Sequence, residues 1–175
     1  MRRALSKVLK FSIFMLIVLA IAYLILNVVM VKAVVQGDSM EPILSDGDVV
    51  FCNRLTYSFN PPERYDIVVV PAKDGSYIVK RVMALPGNTI QINNFGKVEV
   101  NGQVLADDPG FGIIMDKGSI KDPLKLETEE FFVMGDNRNS SIDSRHSEVG
   151  IIKRSQFIGR VSFRIYPMDK IGLIK

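Results

Sequence analysis

Cysteine and histidine are nearly missing from this 175-residue chain, which has only Cys52 and His146. One cysteine excludes an intrachain disulfide and any cysteine-based zinc cluster. One histidine excludes a histidine-rich metal site. No acidic residue occurs before Lys32. The Gly-x-Ser-x-Gly elbow of α/β-hydrolases is absent, because Glu41 stands where its second glycine belongs. The polar stretch Gly135–Arg145 lacks the alternating ligands and terminal glutamate of an EF-hand loop. No metal is called for. There are no internal repeats, no low-complexity segments and, beyond the N-terminal run, no long amphipathic helical pattern.

The net charge of +3 belongs to the N-terminal tail. Setting aside Arg2, Arg3, Lys7 and Lys10 leaves 18 basic against 19 acidic residues. A nearly neutral body excludes nucleic acid as a partner, since that needs a basic patch. Phe11 to Val31 carries no charge. As a helix it spans about 31 Å, matching the hydrocarbon core of a bilayer. It is too long for the apolar region of a cleavable leader, and no small-residue cleavage site follows. The expected organisation is a basic cytoplasmic tail (1–10), a transmembrane anchor (11–31) and an extracytoplasmic domain (32–175). Cations before the span, and only Lys32 just after it, put the N-terminus in the cytoplasm.

Short apolar runs punctuated by turns fill the remainder. Strands are expected at Val31–Gln36, Val49–Phe51, Asp66–Val70, Tyr77–Leu85, Phe131–Met134 and Val161–Tyr166, with a hairpin over Val98–Leu105 turning at Asn101-Gly102. This spacing predicts a mostly β body, a sandwich or barrel, after one N-terminal helix. Residues of about 90–128 form a small inserted subdomain. Within it Phe111-Gly112-Ile113-Ile114-Met115 is either subdomain core or a patch that dips into lipid.

Lys80 stands inside the strand Tyr77–Ala84, whose two faces (Ile78, Lys80, Val82, Ala84 and Val79, Arg81, Met83) are both largely apolar. An ammonium there is costly to desolvate and tends to lose its proton. To act as a base near neutrality its pKa must fall from about 10.4 to roughly 7–8. Ser39 lies 41 positions upstream, soon after the anchor. A serine hydroxyl needs a base, and His146, a carboxylate or Lys80 could serve. His146 lies in a polar segment and reads as a surface imidazole. An ion pair with Asp66 or Asp143 is the structural alternative for Lys80.

Five blocks occur in order: Gly37-Asp38-Ser39-Met40-Glu41-Pro42-Ile43-Leu44, Gly47-Asp48-Val49-Val50, Tyr65-Asp66-Ile67-Val68-Val69, Tyr77-Ile78-Val79-Lys80-Arg81-Val82, and Gly135-Asp136-Asn137-Arg138 through Asp143-Ser144-Arg145. Together they resemble the bacterial type I signal peptidases, membrane serine proteases that remove signal peptides from exported preproteins. The resemblance implies a Ser39 nucleophile, a neutral Lys80 general base and no cofactor. It implies that Ser141 orients the lysine and that Asp143 and Arg145 brace the site as an ion pair, which Arg81 joins. Met40 and the strand before Lys80, Ile78 included, would line pockets for small side chains at positions −1 and −3. Gly37 departs from members with a serine there that helps hold the oxyanion. The short stretch between Arg81 and Gly135 is similar to the compact form of Gram-positive bacteria. The implied partners are preproteins and the lipid bilayer.

Two other readings compete. One is a Ser/Lys protease that cleaves itself or one dedicated partner, like the self-cleaving repressors of the same broad fold. The other is a membrane-anchored binding factor without activity.

Overall fold

The computed structural model describes residues 2–120 and 122–174, apart from the side chains of residues 2–6 and 25–28. Helix α1 (Arg2–Val28) carries the apolar run. Its segment Lys7–Leu24 is long and apolar enough to cross a membrane, and none of that segment is buried by the body. The side chains of Arg2 and Arg3 in the expected tail lie outside the described residues. The helix ends before the apolar run does. Met30 and Val31, expected in the anchor, begin strand β1 (Met30–Val34) and pair with Asn53 and Cys52. Both suit helix or strand, and this pairing draws them into the sheet.

The rest is antiparallel β structure. In chain order the strands are β2 (Val49–Asn53), β3 (Ile67–Pro71), β4 (Tyr77–Ala84), β5 (Thr89–Ile92), β6 (Val98–Val100), β7 (Gln103–Val104), β8 (Leu124–Lys125), β9 (Glu130–Met134), β10 (Ile152–Lys153), β11 (Gly159–Tyr166) and β12 (Gly172–Leu173). The larger sheet runs β1-β2-β11-β3-β4-β9-β10, with β12 beside β11. The smaller runs β7-β6-β5-β8 and arises wholly from the connection between β4 and β9. Among the described residues the pairing path of the larger sheet does not close into a ring, and the smaller sheet packs against it. The β6–β7 hairpin turns at Asn101 (φ 54°) and Gly102 (φ 77°), the pair of positive φ angles a two-residue turn requires.

Alternation divides the core. On β3, Val68 and Val70 face one cluster with Val82, Phe131 and Val133, while Ile67 and Val69 face another with Met40, Leu44 and Val50. A third cluster joins the sheets: Met83, Ala84, Phe132 and Met134 from the larger pack on Ile90, Ile92, Val98 and Val100 from the smaller. The segment Phe111–Met115 is part core and part exposed. Ile114 belongs to this third cluster, whereas Phe111, Ile113 and Met115 are exposed.

Candidate active site

Ser39 sits on the loop between β1 and β2, and that loop is held from several sides. Gly37, at φ +76°, donates its N–H to Asp46 Oδ1 at 2.8 Å. Asp48 Oδ2 accepts the Ser45 N–H at 3.1 Å. Arg164, reaching from β11, places Nε 3.2 Å from Asp48 Oδ2 and bonds the Ile43 carbonyl. Buried Met40 and Leu44 pin the loop into the core. The Ser39 carbonyl accepts the Asn137 N–H at 3.1 Å, which ties this loop to the motif following β9. The Ser39 N–H has no partner among the described residues, so it is available to an incoming oxygen.

Strand β4 brings Lys80 across the 41-residue separation. Its Nζ lies 2.6 Å from Ser39 Oγ, and the residue is 3% exposed. Burial lowers its pKa from the ordinary 10.5 to about 8; the Asp143 and Asp136 carboxylates oppose the fall and the Arg145 guanidinium assists it. Among the described residues Lys80 forms no ion pair, because both anticipated partners are engaged elsewhere. Asp66 sits 3.0 Å from Arg160 and accepts the Tyr57 hydroxyl at 2.9 Å. Asp143 is saturated by Arg145, Ser141 and Gly135.

That saturation builds the wall behind the lysine. Asp143 receives Arg145 Nε at 2.8 Å and Nη2 at 2.9 Å, the Ser141 hydroxyl at 2.8 Å and the Gly135 N–H at 3.0 Å. Burial pushes the Asp143 carboxyl up, but the hydrogen bonds and charge of Arg145, with those from Gly135 and Ser141, outweigh it and leave its pKa below the ordinary value. Arg145 is further held by the carbonyls of Asp116 and Arg138, at 2.9 and 2.6 Å. The Asp143–Arg145 ion pair expected from the motif is thus formed.

Two expected contacts differ. Ser141 was anticipated to orient Lys80, yet its hydroxyl donates to Asp143 Oδ2, a carboxylate being the stronger acceptor. Arg81 does not join Asp143 and Arg145. It points to the other face of β4 and grips Asp136 in a bidentate pair, Nε–Oδ1 2.7 Å and Nη2–Oδ2 2.6 Å, with both side chains buried. Sequence reasoning overlooked Asp136 as its partner. A second buried cation in one apolar strand required an anion, and Gly135-Asp136-Asn137-Arg138 contained it. Sequence reasoning also overlooked Arg164 and Asp48. The alternating run Val161–Tyr166 with one arginine gave no sign of which loop it would meet.

Gly135 allows the close approach of the motif to Ser39. A Cβ there would overlap the Ser39 carbonyl and the Ser141 side chain. His146, read as a surface imidazole, is only partly exposed. Its Nδ1 accepts the Asp143 N–H at 3.3 Å, and Nε2 lies 3.6 Å from Asp116 Oδ2. Lys80, rather than the imidazole, holds the hydrogen-bond position at Ser39.

A cleft of about 400 Å³ opens at Ser39 and Lys80, bounded by Val34–Gln36 and Met40 on one side and Ser76–Val79 on the other. Ile78 and Met40, the anticipated substrate contacts, both line it, although Met40 is only 1% exposed. The backbone around the cleft is partly unpaired. β1 is the edge of its sheet, and β9 pairs with β4 only from Arg81 onward, which leaves Tyr77–Lys80 without a neighbour on that side among the described residues. Among the described residues no group of three or more His, Cys, Asp or Glu side chains could hold a metal ion.

Comparison with known proteins places this geometry in context. Residues 8–166 match the family model described as signal peptidase, peptidase S26. The chain is 32% identical to signal peptidase I of Bacillus amyloliquefaciens over 97% of its own length and 94% of that protein. It is 33% identical to signal peptidase I S of Bacillus subtilis, covering 95% and 93% of the two chains. A solved signal peptidase I from Enterococcus faecalis aligns with a TM-score of 0.47 and 26% identity, covering 58% of this chain and 97% of that one.

Proposed function

The chain belongs to the signal peptidase family, peptidase S26, as a serine endopeptidase that removes signal peptides, and we propose that Ser39 and Lys80 carry out its chemistry. The observation that carries this reading is the 2.6 Å separation of Lys80 Nζ from Ser39 Oγ at a site 3% exposed. A neutral amine so placed accepts the hydroxyl proton as Oγ attacks the scissile carbonyl. Charge builds on the carbonyl oxygen, and the free Ser39 N–H donates to it. The tetrahedral intermediate then collapses, the C–N bond breaks, and the Lys80 ammonium returns its proton to the departing amine. Water, deprotonated by the same lysine, hydrolyses the Ser39 ester and restores both groups.

Asp143, Arg145 and Ser141 act as positioning residues in this scheme, and the Arg81–Asp136 pair holds the strand that carries Lys80. An extended signal-peptide segment lies in the cleft between the β1 edge and the unpaired Tyr77–Lys80 backbone. Main-chain pairing supplies affinity, and pockets at alternate residues supply selectivity. α1 anchors the protein with its N-terminus cytoplasmic and its catalytic body outside. Enzyme and preprotein then share one membrane plane, which raises their effective concentration.

Incubation of the purified full chain with a preprotein, beside Ser39→Ala, tests the reading. Cleavage in trans at a small-residue site, absent from the variant, is expected. Self-cleavage alone, or undiminished cleavage by Ser39→Ala, would overturn it. Proline substitutions scanned through positions −5 to −1 of the substrate should impair cleavage where main-chain pairing matters.

A further inference from the structure

The short helix α2 (Thr56–Phe59) follows β2 directly and has no role in the chemistry above. It lies close to the end of α1. Val29 is the first residue past the anchor helix, and its carbonyl accepts the Arg54 N–H at 2.9 Å. The α2 turn therefore begins two residues after a hydrogen bond to the point where the chain leaves its apolar helix.

This turn is rigidly mounted. Tyr57 is buried, donates its hydroxyl to Asp66 at 2.9 Å, and meets the Phe157 ring edge-on with centroids 5.4 Å apart. Leu55 and Phe59 are four residues apart, so they share one side of the turn while Tyr57 occupies the other. Both are exposed, Phe59 at 80%, and exposed Arg54 adjoins them. A single exposed apolar residue needs no explanation. Two on one face of a fixed turn, with a cation beside them and next to the anchor, form an amphipathic surface suited to the boundary between headgroups and acyl chains.

We propose that α2 rests in the lipid interface, with Phe59 and Leu55 inserted and Arg54 at the phosphates, and so sets the height of the catalytic body above the bilayer. The proposal depends on α1 spanning that bilayer.

The chain contains no tryptophan, so single-tryptophan variants report unambiguously. The full chain carrying Leu16→Trp, Phe59→Trp or Phe95→Trp is reconstituted in phosphatidylcholine–phosphatidylglycerol vesicles with acyl-brominated lipid. Phe95, 78% exposed between β5 and β6 in the smaller sheet, is the control. Strong quenching is expected for Leu16→Trp, with blue-shifted and quenched emission for Phe59→Trp and solvent-like emission for Phe95→Trp. Solvent-like, unquenched Phe59→Trp beside a quenched Leu16→Trp would overturn the proposal while leaving the anchor intact. A blue shift that lipid does not quench would assign the face to a second copy or another protein. Equal quenching of Phe95→Trp would deny α2 any special place, and an unquenched Leu16→Trp would remove the premise and the proposal together.

Discussion

Replacing Lys80 by methionine separates a base held neutral by burial from a lysine held charged by a partner. The folded lysine titrates at about 8 and the unfolded one at 10.5. At about 1.36 kcal/mol per pH unit this difference is about 3 kcal/mol. A depressed lysine costs stability, and the sign follows from proton counts. Below pH 8 both states hold the proton and the folded chain bears the whole cost. Between about 8 and 10.5 the unfolded lysine is protonated and the folded one is not, so stability rises with pH. Above that window the cost is gone.

Lys80→Met removes this cost and one hydrogen bond to Ser39, worth about 1 kcal/mol. The variant should be inactive, yet about 2 kcal/mol more stable than the parent at pH 7. That advantage should shrink as pH rises through the window. Thermal melts of both proteins from pH 6 to 10 measure it. In the active parent, kcat/KM should rise about tenfold per pH unit below 8 and level off above, as the neutral amine accumulates. A variant several kcal/mol less stable at every pH, or a flat rate profile from pH 7 to 9, would refute the reasoning.

Asp136→Ala should cost about 3–5 kcal/mol in denaturant unfolding, because it strands the buried Arg81 charge; Arg81→Met/Asp136→Leu should recover most of that loss. Gly135→Ala adds a methyl where the Ser39 carbonyl and Ser141 already sit, so a stability loss of about 1–3 kcal/mol is expected. Its kcat should fall further than that loss explains, since the nucleophile itself is displaced. Arg164→Met frees Asp48 and the Ile43 carbonyl, and should lower kcat by about a hundredfold through a shifted Ser39. Arg164→Lys should restore part of it, and an unchanged kcat in the methionine variant would show that the loop holds itself.

Much was legible because it is written within a few residues. The uncharged N-terminal run dictates a helix where it crosses hydrocarbon, since a lone segment there satisfies its own backbone hydrogen bonds only as a helix. Short runs of β-branched and aromatic residues between turns marked β2, β3, β4, β9 and β11, and Asn101-Gly102 marked its hairpin. A lysine in an apolar strand already implied a depressed pKa, because desolvation depends on burial and burial was readable from the pattern.

What only the tertiary structure decided was who meets whom. Met30 and Val31 suit helix and strand alike, and pairing with Cys52 and Asn53 settled the matter. Lys80 and Arg81 are adjacent in sequence, but the pleat sends one to Ser39 and the other to Asp136. The Ser141 proton goes to Asp143, and Arg164 finds the Ser39 loop, for one reason. Such contacts depend on which strand edges lie side by side, and strand order is a property of the whole sheet, which no short segment encodes.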